Sequence, residues 1–101
     1  MVTVPAYFTD NQKSSTKDAC SIAGLECKRL ITEPVAAAMA FGLEKSKEGR
    51  KKCVVFDFGG GTHDVTVLEI HKKKINVKAV DGDPNLGGQD IDIELMKYCL
   101  K

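Results

Sequence analysis

Three consecutive glycines, Gly59-Gly60-Gly61, interrupt two apolar runs, Cys53 to Phe56 before them and Val65 to Ile70 after them. No strand continues through such a stretch, so the chain must reverse there. Glycine loses more conformational freedom on folding than any other residue, and a tight turn needs only one or two. A physical reason for three is close approach of backbone N–H groups to a bulky anion, where any Cβ would collide. Successive amides then form a concavity suited to phosphate. Thr62 adds a hydroxyl donor, and Asp57, entering the loop, is placed to hold Mg²⁺ or its waters, since magnesium takes one or two carboxylates plus phosphate oxygens. The plainer alternative is a hairpin whose glycines merely fit the turn, with Asp57 and Thr62 as turn polar groups. Neither standard nucleotide loop is present. The lysine of a Walker A loop is missing, the next element reads as a strand, and G-x-G-x-x-G fails.

Around this loop the pattern alternates between elements. Val2, Val4, Tyr7 and Phe8 read as a short strand broken by Pro5, which cannot donate to a ladder. Thr9 and Gln12 have capping-box spacing, so a helix should open there and run to about Ala23, stopping at Gly24. Leu25 to Ile31 reads as a second strand. Thr32-Glu33-Pro34 then starts another helix, whose body, Val35 to Phe41, is apolar all round and is expected to be buried on most sides. Residues 44–52 form a polar, mostly basic connector. Cys53 to Phe56 reads as a central buried strand, Val65 to Ile70 as the next, and Lys72-Lys73-Lys74 as a turn. Ile75, Val77 and Ala79 alternate with polar residues as a strand with one wet face, and Asp81 to Asn85 reads as a loop. An amphipathic helix carrying Ile91, Leu95, Tyr98 and Cys99 closes the chain.

Composition narrows the functions available. The 101 residues carry 15 basic and 14 acidic side chains, a net charge of +1, so the electrostatic excess of a nucleic-acid binder is missing. The longest apolar run falls far short of the ~20 residues of a membrane span. No basic region followed by an apolar stretch opens the chain, so no signal peptide is read. The four cysteines, Cys20, Cys27, Cys53 and Cys99, lack zinc or redox spacing and read as small buried hydrophobes in a reducing compartment. That favours the cytoplasm.

Other constellations offer weaker chemistry. Glu33 precedes a proline that opens a helix, where the dipole favours a carboxylate. It serves as a helix-start acid, or it polarises a water or faces a metal. Asp81, Asp83, Asn85 and Asp92 imitate a calcium loop, but Leu86 replaces the required glycine, Pro84 intrudes, and a strand precedes. His63 and His71 have no cysteine partners at zinc spacing. Ser14 and Ser15 lack a partner base, so nucleophilic hydrolysis has no support.

Together the blocks VTVPAYF, TKDACSIAGLE, ITEPVAAAMAFGL, VVFDFGGGTHDV and DGDPNLGGQDID resemble consecutive blocks of the ATPase domain of the seventy-kilodalton heat-shock (heat shock protein 70) chaperones. The resemblance covers essentially the whole chain, and five ordered blocks are far more specific than one loop. It implies an α/β chain forming part of an actin-like ATPase (ribonuclease H-like) fold, whose two lobes clasp a nucleotide. Residues 1–44 would end the first-lobe core, 45–52 connect, and 53–101 begin the second-lobe core.

By the same resemblance, Gly60, Gly61 and Thr62 would contact the phosphates of ATP or ADP. Gly59 would shape the turn, Asp57 would organise the Mg²⁺ water shell, and Gly87 and Gly88 would line the nucleotide cleft. Glu33 falls on the family's carboxylate near the attacking water and would reach the metal through water. Pro5 falls on its proline switch, and Lys13 on a basic relay position, where lysine replaces the usual arginine. His63, Val35 and Ile91 also depart from the family's usual residues. The implied function is that of a fragment of an ATP-dependent chaperone. The parent would bind and release unfolded polypeptides with J-domain co-chaperones and nucleotide-exchange factors, with no nucleic acid or membrane partner. Phosphoryl transfer needs charge neutralisation from several directions, so this piece alone should be inactive. The alternatives are a non-catalytic binding module and a fragment of another actin-like ATPase such as a sugar kinase.

Overall fold

The computed structural model describes residues 1–42 and 49–101. Its first part is a strand–helix–strand–helix unit: β1 (Val2–Val4), α1 (Asp10–Ile22), β2 (Leu30–Thr32) and α2 (Glu33–Ala40). β1 and β2 pair in parallel, Val2 with Leu30 and Val4 with Thr32, with α1 as their crossover. Pro5 ends β1, so Tyr7 and Phe8 lie beyond the strand rather than in it.

Local chemistry sets the bounds of α1. The Thr9 hydroxyl accepts from the Gln12 amide at 3.3 Å, and the Gln12 side chain accepts from the Thr9 amide at 2.8 Å. This is the reciprocal capping box that the spacing predicts. At the other end Gly24 takes φ +74°, and the Leu25 amide reaches back to the Cys20 carbonyl at 2.8 Å. That closure satisfies carbonyls the helix would otherwise leave open. The predicted strand from Leu25 shortens to Leu30–Thr32, because the chain spends residues 25–29 recovering from the reversal.

The second part is an antiparallel sheet of β3 (Lys51–Phe58), β4 (His63–His71) and β5 (Lys74–Asp83), followed by α3 (Gly88–Cys99). The strand order is β3-β4-β5. This corrects the expectation of a central, buried β3. β4 is flanked on both sides, while β3 lies at the edge with Val54 63% and Phe56 66% exposed. An apolar run shows that a strand expects cover, not which neighbour supplies it. β3 also begins at Lys51, inside the stretch read as connector; residues 44–48 of that connector lie outside the described residues. β5 extends to Asp83, so Asp81 to Asp83 belong to the sheet instead of a loop.

Burial centres on β4. Leu68 is fully enclosed, with Ile70, Val4 and Ala38 nearly so. α2 is less covered than its composition predicts: Pro34 and Ala38 are buried, but Phe41 is 82% exposed. Among the cysteines only Cys20 is buried, Cys99 is exposed, and all are free thiols. The radius of gyration is 16.8 Å, against about 13 Å for a compact domain of this length. Much of the apolar surface, including that of α3, therefore faces outward. Among the described residues no helix is long and apolar enough to cross a membrane.

The β4–β5 turn offers a stability test. Lys72 (φ 49°) and Lys73 (φ 64°) both adopt left-handed backbone between paired His71 and Lys74. A two-residue hairpin with both φ positive is the type I′ turn, which favours Asn-Gly. Replacing Lys72-Lys73 by Asn-Gly is expected to stabilise the chain by about 1 kcal/mol, measured by urea unfolding.

Candidate functional site

The hairpin between β3 and β4 is closed by the Phe58–His63 pair, leaving Gly59 to Thr62 as its loop. The Gly59 amide donates to the Thr62 carbonyl at 2.9 Å across the turn. The carbonyls of Gly59 and Gly60 are taken by α3, whose Gly88 and Gln89 amides donate to them at 2.8 and 2.9 Å. The carbonyls of Gly59, Gly60 and Thr62 are thus committed within the chain. Among the described residues no acceptor takes the amides of Gly60 or Gly61.

Why glycines stand here can be read from the space around them. Neither Gly60 nor Gly61 has positive φ, and a Cβ on either would meet nothing within 4 Å. The fold of this chain therefore does not require glycine at these two positions. Gly87 is the reverse case: its Cβ would overlap the backbone of Gly60 and Gly61. It is buried, and its amide is held by the Asp90 carboxylate at 2.8 Å. Gly87 lets α3 seat against the loop, whereas Gly88 is only in ordinary contact with it.

A carboxylate cluster lies below the loop. Antiparallel register sets Asp57 directly opposite Asp64. The cleft beside them is lined by Pro5, Tyr7 and Glu33 from the first unit, with Val55 and Thr66 of the sheet. Like charges facing each other across a strand pair are destabilising. The Glu33 carboxyl is raised above its usual range, first by burial and then by Asp57 and Asp64. The Tyr7 phenol is likewise raised by burial and by Asp64 and Glu33. Such a cluster is suited to a cation. Among the described residues no three His, Cys, Asp or Glu side chains converge closely enough to hold an ion unaided, so a cation here would keep waters or take ligand oxygens.

The profile of the family described as Hsp70 protein matches residues 1–101. The chain belongs to the Hsp70 family. It is 54% identical over 101 residues to the heat shock cognate HSP70 protein of Trypanosoma brucei brucei, covering 99% of this chain and 15% of that protein. The chain thus spans a small part of that Hsp70 relative's length.

In the Hsp70 chain the residues that its sequence singles out fall into two neighbouring groups and one outlier. Pro5, Glu33 and Asp57 share the cleft. Gly59, Gly60, Gly61 and Thr62 form the loop above it, tied to Gly87 and Gly88. Lys13 sits apart on α1, in a groove with Ser14, Lys17, Lys28 and Arg29, and its ammonium lies 3.9 Å from Asp10. Sequence reading missed Asp64 and Tyr7. For Asp64 a signal existed: in a hairpin closed by Phe58 and His63, the next residues outward are Asp57 and Asp64.

The electrostatics carry a testable sign. Because the folded-state pKa of Glu33 is raised, its ionisation opposes folding, and that cost appears as pH rises through the folded value. Asp64→Asn removes one repulsive neighbour. It is expected to stabilise the chain at neutral pH by about 0.2–1 kcal/mol and to flatten the decline in stability that sets in as pH rises past the ordinary glutamate range, followed by urea titration across pH.

Proposed function

We propose that this chain is part of the ATPase domain of an ATP-dependent Hsp70 chaperone, with the glycine loop as a phosphate cradle. The observation that carries the reading is the contrast within the loop. Gly60 and Gly61 have unclaimed amides and no internal need to be glycine, while Gly87 has an evident packing role. Glycines that the chain does not require are explained by a ligand that approaches the backbone.

In this reading Gly59 shapes the turn, the amides of Gly60 and Gly61 and the Thr62 hydroxyl bind phosphate oxygens of ATP or ADP, and Asp57 orients waters around Mg²⁺. Bound magnesium would neutralise phosphate charge during transfer. Glu33, with its raised carboxyl, would accept a proton from the attacking water at its carboxylate oxygens and would hold a bound metal only through water. Pro5, which lines the same cleft as Glu33, is the switch in this reading. Lys13, on the neighbouring helix, relays nucleotide state to the peptide-binding part of the parent. Residues 1–44 end one lobe of an actin-like fold, 45–50 connect, and the stretch from β3 at Lys51 onward begins the second. Unfolded polypeptides, J-domain co-chaperones and nucleotide-exchange factors are partners of the intact protein, in a cytoplasmic setting that suits its free thiols.

Titration of the isolated chain with Mg-ATP, followed by amide NMR, tests this. Binding weaker than millimolar and negligible turnover are expected, with shifts concentrated at Gly60, Gly61 and Thr62. Shifts confined to other parts of the chain would sink the cradle.

A further inference from the structure

Cys20 and Cys27 are seven positions apart in sequence and belong to different local structures, the last turn of α1 and the irregular segment before β2. The helix stop brings them together. Gly24 turns the chain back with φ +74°, and the Leu25 amide bonds the Cys20 carbonyl at 2.8 Å. The returning segment thereby runs alongside the turn it has just left. Cys20 is buried and Cys27 half-buried, and Cys27 comes near enough to Cys20 to act on its thiol. The Cys27 sulfur also contacts the Arg29 carbonyl at 3.7 Å, which holds that side of the pair. Cys53 on β3 and Cys99 at the end of α3 belong to other parts of the fold.

We propose that Cys20 and Cys27 are a dithiol modification site, which low-molecular-weight disulfides such as oxidised glutathione convert to an intramolecular disulfide. The more accessible Cys27 reacts first. Its thiolate attacks the small disulfide, forming a mixed disulfide and releasing one thiolate. Cys20 then loses its proton to that released thiolate and attacks the Cys27 sulfur. The protein disulfide forms and the second small thiol leaves, so the two protein thiols are oxidised by two electrons and the small disulfide is reduced to two thiols. Burial and the facing Cys27 raise the Cys20 thiol, which suits it to the resolving step instead of the first attack. The bond would fasten the end of α1 to the segment that leads through β2 into Glu33.

The test uses the 101-residue chain with Cys53→Ser and Cys99→Ser, equilibrated in a glutathione redox buffer, trapped by alkylation and mapped by mass spectrometry. The folded chain is expected to lose two hydrogens and give a peptide linked through Cys20 and Cys27. The ratio of this bond to mixed disulfide should be at least tenfold higher than in guanidinium. Adding Cys27→Ser should leave Cys20 open to alkylation on unfolding. The proposal is overturned if folded and denatured chains show the same ratio, or if the folded chain stops at the mixed disulfide. The four-cysteine chain supplies a second check: bonds from Cys20 or Cys27 to Cys53 or Cys99, in place of the mapped pair, also overturn it.

Discussion

Alanine at Gly87 is expected to cost the chain far more than alanine at Gly60, although both glycines face the same contact. A Cβ at Gly87 overlaps the backbone of Gly60 and Gly61, which have no flexible side chain to move aside. Relief requires separating α3 from the loop, losing the bonds from Gly88 and Gln89. Overpacking and two lost hydrogen bonds together amount to about 2–4 kcal/mol. Gly60→Ala meets open space and should stay within about 0.5–1 kcal/mol of the parent chain. In the intact protein the order should reverse for nucleotide: Gly60→Val lowers ATP affinity at least tenfold with little change in melting. Urea unfolding of the chain and nucleotide titration of the intact protein read the two halves separately. Equal stability losses at Gly87 and Gly60 would contradict the packing argument.

The other large effect is expected at Leu68. Among the described residues it is the large side chain fully enclosed by the fold, near the middle of β4, where strands lie on both sides. Leu68→Ala removes buried methyl groups and leaves a cavity that the sheet cannot close, at a cost of about 2–5 kcal/mol. With so few residues buried, this is a large share of the total stability of a small domain. Far-UV circular dichroism in urea should show an early, broad transition. Ile22→Ala, at a position 88% exposed, should leave the midpoint nearly unchanged and serves as the control.

Local features were the legible ones. The capping box at Thr9 and Gln12 and the stop at Gly24 involve atoms a few residues apart, so spacing alone determines them. The glycine loop was legible for the same reason. The position of β3 was not, because Cys53 to Phe56 reports the apolarity of the strand and nothing about the order in which strands assemble. α3 shows a similar gap: its apolar spacing predicts a helix correctly, yet none of its side chains is buried among the described residues. Asp64 could have been reached by counting outward from the loop. Tyr7 could not, since it joins the cleft through the packing of β1's end against the sheet, a long-range event. The cluster around Glu33 was thus half visible: the residue types were plain, but the convergence that shifts their protonation was not.

The bonds from Gly88 and Gln89 to the loop have a mechanical side. α3 spans 12 residues, about 18 Å of helix, and is tethered to the hairpin at its first turn. A rotation of the loop backbone at Gly59 and Gly60 would therefore be handed to the start of the helix, and its far end at Cys99 would sweep the longer arc. Gly87, packed against the loop, stands where such a rotation would turn.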